Sequence, residues 1–168
     1  AAQEQSDAFQ TGLTALKENR VEDALVALTA AEHQHSEDPR IRNFRGIVLD
    51  RLGRTLEAAA EYQEAIRIDP RFEDAYRNLG FLRWKESNLE SARTVLLRAL
   101  ELSPDDSFAH YYLGRVQLDG LQYAQALKQL KLSSVPWPAE PEFLIQVAAP
   151  YAAPKQLPDA QPTPHHPA

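Results

Sequence analysis

Few residues in this sequence combine a reactive type with a spacing that would let them act together. Adjacent carboxylates occur as Glu22-Asp23, Glu73-Asp74 and Asp105-Asp106, and such a pair serves as acid and base only where burial drives the two pKa values apart. Each pair stands at or near a predicted helix start, where negative charge answers the helix dipole and caps free N–H groups, which is sufficient cause for its presence. His33 and His35 lie two residues apart, so on a helix they point in different directions and read as a solvated face rather than a metal site. His165-His166 belongs to a proline-rich end. Cysteine is absent, which removes thiol nucleophiles, disulfides and zinc–thiolate sites together. There is no Gly-x-Ser-x-Gly, no phosphate-binding glycine loop and no His-Glu-x-x-His. The expectation is a non-enzymatic protein with no cofactor, no metal and no catalytic residue.

The chemistry that remains is recognition, and it needs helices to position it. Residues 73–106 read as two helices, with Gly80 in the first, Ala92 early in the second, Ser87-Asn88 at the turn and Pro104 where the second must stop. A hairpin of that size cannot bury its own apolar surface. The same pattern returns every 34 residues: Gly12, Gly46, Gly80 and Gly114 are in phase, as are Ala24, Ala58, Ala92 and Ala126. Further columns run Ala31, Ala65, Ala99, Ser133 and Ser36, Pro70, Pro104, Pro138. With glycine near 7% of ordinary sequence, the glycine column alone would arise by chance about once in several thousand trials.

Period, small residues and terminal prolines resemble the tetratricopeptide repeat, a helix-turn-helix unit of about 34 residues. The resemblance implies an all-α fold, a right-handed superhelical stack of hairpins. Four repeats are expected at 5–38, 39–72, 73–106 and 107–140. A capping helix is expected over 141–149, with Phe143, Leu144 and Val147 on one side, and an extended or disordered proline-rich tail over 150–168. Nine of the 12 prolines fall from Pro136 onward.

In this family the first helices of successive hairpins line a concave face. Carried over by resemblance, a peptide-binding groove would comprise Phe9, Leu13, Asn43, Ile47, Arg51, Arg77, Asn78, Phe81, Trp84, Tyr111 and Arg115. Leu16, Arg40, Asp50, Asp74, Lys85, Phe108 and Leu118 would also turn inward. Aromatic pockets flanked by arginines could hold an extended peptide, with guanidinium groups forking onto carboxylates and Asn43 and Asn78 bonding its backbone. The competing reading is that Phe81 and Trp84 pack between adjacent hairpins. Some relatives grip the C-terminal carboxylate of chaperones through lysines, arginines and asparagines. The corresponding places here hold Phe9, Leu13, Phe44, Asp74 and Asn78, so that ligand is not expected.

A net charge of −6 and a pI near 5.4 argue against a nucleic-acid surface, which needs clustered Lys and Arg. No apolar run approaches the length of a membrane span. The opening Ala-Ala-Gln-Glu-Gln resembles the segment after a signal-peptidase cut, which leans toward an exported bacterial protein, periplasmic or extracellular; a trimmed cytoplasmic chain explains it equally. The partner expected is a protein or peptide. The alternative is a self-associating scaffold, dimer or filament, joined through exposed repeat ends, with the proline-rich tail in its own or a neighbour's groove.

Overall fold

The computed structural model describes residues 2–136, with side-chain surroundings from residue 8 onward. The expected capping helix at 141–149 and tail at 150–168 lie outside the described residues. Within them the chain forms eight helices and no strand. They are α1 (Ala2–Lys17), α2 (Val21–Gln34), α3 (Pro39–Arg51), α4 (Thr55–Ile68), α5 (Glu73–Lys85), α6 (Leu89–Leu102), α7 (Ser107–Asp119) and α8 (Tyr123–Leu132). Consecutive helices pair as hairpins α1/α2, α3/α4, α5/α6 and α7/α8. The second helix of each pair packs on the first helix of the next. This is the stack expected of a solenoid, whose core is continuous because each hairpin covers its neighbour.

Local sequence sets the helix ends. Pro39 occupies the first turn of α3, where its missing N–H costs nothing, and the Asp38 carboxylate accepts the Arg40 N–H at 2.9 Å. Asn88 and Asp106 cap α6 and α7 through the N–H groups of Ser91 and Ala109. Each hairpin turn contains one residue with positive φ, at Asn19, Gly53, Ser87 and Leu121, again 34 residues apart. In the last turn it is Leu121 at φ 59° that takes the left-handed conformation, while the adjacent Gly120 keeps φ −83°. A Leu there carries backbone strain that glycine would not.

The glycine column explains how each hairpin closes. A methyl group on Gly80 would lie 2.5 Å from Leu96 Cγ and 2.7 Å from its Cδ2, and one on Gly46 would lie 2.5 Å from the Tyr62 ring. Leu28 and Leu130 sit over Gly12 and Gly114 in the same way. The missing side chain is therefore a socket for the large residue 16 positions later, and the alanine column lets the backbones close around it. Ala24, Ala58, Ala92 and Ala126 are all fully buried.

Hairpin α3/α4 departs from this apolar plan. Where the later hairpins place Tyr76 and Leu79, or His110 and Leu113, it carries Arg42 and Arg45. They are answered by Glu32 from α2 and Glu61 from α4, with N–O distances of 2.5 Å (Arg42–Glu32), 3.2 Å (Arg45–Glu61) and 3.5 Å (Arg42–Glu61). All four side chains are 14–17% exposed. Burial pushes the Glu61 carboxyl above its usual range, against the pull of Arg45 and Arg42. An interior with opposed charges in matching numbers ties α2, α3 and α4 together and fixes which partners meet.

The socket account predicts that Gly80→Ala lowers unfolding free energy by about 1–2 kcal/mol despite the better helix propensity of alanine. In a Leu96→Ala background, itself destabilised, the same change should become neutral or stabilising. Denaturant unfolding of the four-protein cycle checks this; additive effects would refute the socket.

Candidate functional site

Helices α1, α3, α5 and α7 lie side by side and together form one face of the stack. Side chains meet across this face at a spacing of 35 residues, one more than the repeat. Phe9 meets the edge of the Phe44 ring with centroids 5.8 Å apart. Asn78 donates its amide N–H to Asn43 at 2.9 Å. Lys85 Nζ donates to Asp50 at 2.6 Å, and the Trp84 indole N–H to Asp119 at 2.6 Å. Parallel copies of one helix cannot touch through the same stripe, since each contact joins the leading flank of one to the trailing flank of the next. Moving one position along turns a side chain by about 100°, which carries it to the other flank.

The third and fourth hairpins place four rings in a continuous run. Phe108 lies 6.4 Å from Tyr112, Tyr112 4.7 Å from Phe81, and Phe81 5.9 Å from Trp84, centroid to centroid. Tyr111 meets Tyr112 edge-on at 5.6 Å. The Arg115 guanidinium carbon stands 4.9 Å over the Trp84 ring, and the Arg115 Nη1–H donates a hydrogen bond to the Tyr111 hydroxyl at 3.1 Å. Each ring pair contributes about 0.5–1.5 kcal/mol beyond its buried area. Phe108 is 52% exposed, and the other rings are half-buried. Burial raises the Tyr112 phenol above its ordinary pKa. Trp84 and Tyr112 also pack against the α6/α7 core, so the two readings of Trp84 are compatible: one side of the ring seals the hairpin interface and the run continues along the face.

The other expected groove residues divide by what already holds them. Phe9 and Leu13 are half-buried beside α3, Ile47 leans on the core around Tyr62, and Arg51 is exposed with its guanidinium 3.5 Å from the Leu16 carbonyl. Asn43 is 3% exposed and its amide oxygen is taken by Asn78, so it is placed to join α3 to α5 and is turned away from any ligand backbone. Leu118, expected to face inward, is 2% exposed and belongs to the core of the last hairpin. Its side chain points at α8 because the stripe that faces α5 here runs through Arg115 and Asp119.

Arg77 has two partners within the chain. It donates to Asp106 at 2.7 Å across the hairpin boundary and to Asp74 at 2.5 Å on its own helix. Burial alone would lower its pKa, but the Asp106 bond and the field of Asp74 outweigh it, so the charge is held more firmly than usual. Lys85 lies 5.2 Å from the Phe81 ring centre while bonded to Asp50. Tyr112 was not among the expected groove residues, although it shares a column with Phe44 and Asn78; the shift of one position between facing flanks is what selects it. Among the described residues no cluster of three or more metal-ligating side chains occurs, and no helix is long and apolar enough to cross a membrane.

A curved stack of helical hairpins with a ring-lined face is the architecture of a repeat scaffold. A sequence profile of the tetratricopeptide repeat matches residues 9–71 and 77–141, and the chain belongs to that family. No curated protein matches it significantly. Among solved structures it resembles Pseudomonas aeruginosa PilF with a TM-score of 0.72 and 25% identity, over 86% of this chain and 66% of that one. It resembles MamA with a TM-score of 0.70 and 17% identity, over 76% and 75% of the two chains. It also resembles the first such domain of Spaghetti (RPAP3) bound to the HSP90 peptide SRMEEVD, with a TM-score of 0.67 and 21% identity, over 71% and 94%.

Because the Asp106 side chain is only 6% exposed, removing its cation strands a buried charge. Arg77→Ala should therefore cost about 2 kcal/mol, and Asp74→Ala, whose carboxylate is 42% exposed, below about 1 kcal/mol. Thermal unfolding of both variants checks the order; an unchanged Arg77→Ala midpoint would contradict it.

Proposed function

We propose that this protein is a non-enzymatic interaction module that holds an extended polypeptide segment on its concave face, with the run Phe108, Tyr112, Phe81 and Trp84 as the anchor. The observation that carries the reading is that run itself: four rings in contact, drawn from two hairpins, with exposure concentrated at one end. Aromatic rings on a rigid scaffold offer large contact area at little cost in side-chain entropy, which suits them to anchoring a peptide. Arg115, stacked over Trp84, lies at the far end of the run and could meet an acidic or carbonyl group on a ligand.

The relatives support an interaction role and differ in a way that bears on the ligand. The RPAP3 domain carries a peptide ending in Glu-Glu-Val-Asp. In this chain the neighbouring cations are engaged: Arg77 by Asp74 and Asp106, Lys85 by Asp50, and Arg40 by Asp38. Asn43 and Asn78 are joined to each other. A terminal carboxylate would have to break these pairs, and it would meet Asp50, Asp74 and Asp119 on the same face. The face therefore favours side chains that stack over groups that carry charge.

The test is a displayed peptide library selected on the intact chain, followed by calorimetry with the selected peptide. A segment reaching several pockets binds at micromolar strength, about −8 kcal/mol. Phe108→Ala, an exposed change that the fold tolerates, should weaken it about tenfold, or about 1.4 kcal/mol. Leu56→Ala on α4, where Leu56 is 82% exposed, should leave it unchanged. Equal losses for both variants, or none, would reject the concave face as the binding surface.

A further inference from the structure

We propose that the aromatic run is occupied in the resting protein by the chain's own proline-rich segment, residues 150–164. This rests on the reading of the concave face as the binding surface and names what fills it when no partner is present.

The place where the described chain leaves the fold supplies the first argument. After α8, the Ser134 N–H and hydroxyl both bond to Ser107 Oγ, at 2.5 and 2.7 Å. Ser107 is the first residue of α7, and the next is Phe108, the exposed end of the run. The chain is thus released at the foot of the ladder. Thirteen residues lie between Pro136 and Pro150, which at about 3.1 Å per residue span roughly 40 Å when extended. The rings are spaced 6.4, 4.7 and 5.9 Å apart, so the tether reaches any point along them.

The second argument is the polar chemistry of the face. The Trp84 indole, Lys85, Arg77 and Asn43 are bonded to Asp119, Asp50, Asp74 with Asp106, and Asn78. A ligand that brings its own unsatisfied donors gains little there and costs desolvation. Proline removes the backbone N–H and fixes an extended left-handed helix whose rings stack on aromatic faces. Residues 150–164, PYAAPKQLPDAQPTP, contain five prolines. Their single Lys155 and single Asp159 give no net charge, which matches a face whose cations are already opposed by carboxylates. Tethering at roughly millimolar effective concentration lets even a weak contact be substantially filled.

The absence of cysteine permits a direct test in the full chain. Asp159→Cys carrying a nitroxide should broaden the NMR signals of Phe108, Tyr112, Phe81 and the Trp84 indole, and spare Val26 and Leu56. Mixing spin-labelled chain at natural isotope abundance with isotope-labelled chain that carries no nitroxide should abolish the effect, because the contact is within one molecule. Replacing Pro154, Pro158 and Pro162 with Ser should also abolish it. A synthetic peptide of residues 150–164 should then bind that triple-serine chain about tenfold more tightly than it binds the parent. Uniform broadening, broadening that survives in the mixed sample, or equal affinity of the peptide for both chains would each overturn the proposal. If a library-selected peptide still loses affinity on Phe108→Ala while the nitroxide leaves the rings untouched, the concave-face reading stands and the tail assignment falls.

Discussion

The structure depends on one steric event repeated four times: a large side chain from the second helix of a hairpin enters the gap left by a glycine in the first. Leu28, Tyr62, Leu96 and Leu130 fill the gaps at Gly12, Gly46, Gly80 and Gly114. Close-packed interiors respond to the addition of one methyl group because neighbouring atoms have nowhere to go. The socket thus sets the distance between the two helices, and the distance sets where the next hairpin can dock. A face lined by first helices follows from that docking, before any ligand is considered.

On that face the same groups serve structure and recognition. Contacts between side chains 35 residues apart lock neighbouring first helices and also consume most of the polar valence a ligand would seek. Phe81 and Trp84 come from one hairpin, Tyr112 and Phe108 from the next, so the aromatic run exists only when the two are docked. Arg77, through Asp106, pins that same joint. The first two hairpins share an apolar core around Leu28 and Val48, and add beside it the Glu32, Arg42, Glu61 and Arg45 charges. The four-ring run lies on hairpins three and four, whose joint combines the apolar cluster around Leu96 and Leu113 with the Arg77–Asp106 pair.

Much of this was legible in the sequence because periodicity is a local signal. The 34-residue columns located the hairpins, with the turn at Ser87-Asn88 and the stop of α6 before Pro104 read from residue type. Phe81, Trp84, Tyr111 and Arg115 were placed on the right helices for the same reason. What the columns could not show is which flank of a helix meets its neighbour. That depends on how the helices lean, and it determines that Tyr112 joins the run, that Asn43 pairs with Asn78, and that Leu118 turns into the core. Long-range pairing of charge was equally hidden. Arg77 looked like a ligand anchor from its type and position, but Asp106, 29 residues on, is brought against it only by docking of the hairpins.

The account's central claim is that hairpins three and four dock so as to build one aromatic surface, and side-chain NOE spectroscopy in solution tests it most directly. The claim predicts strong cross-peaks between the rings of Phe81 and Tyr112, whose centroids are 4.7 Å apart, together with contacts from Tyr112 to Phe108. Helical backbone shifts for α5 and α7 without any Phe81–Tyr112 cross-peak would contradict it.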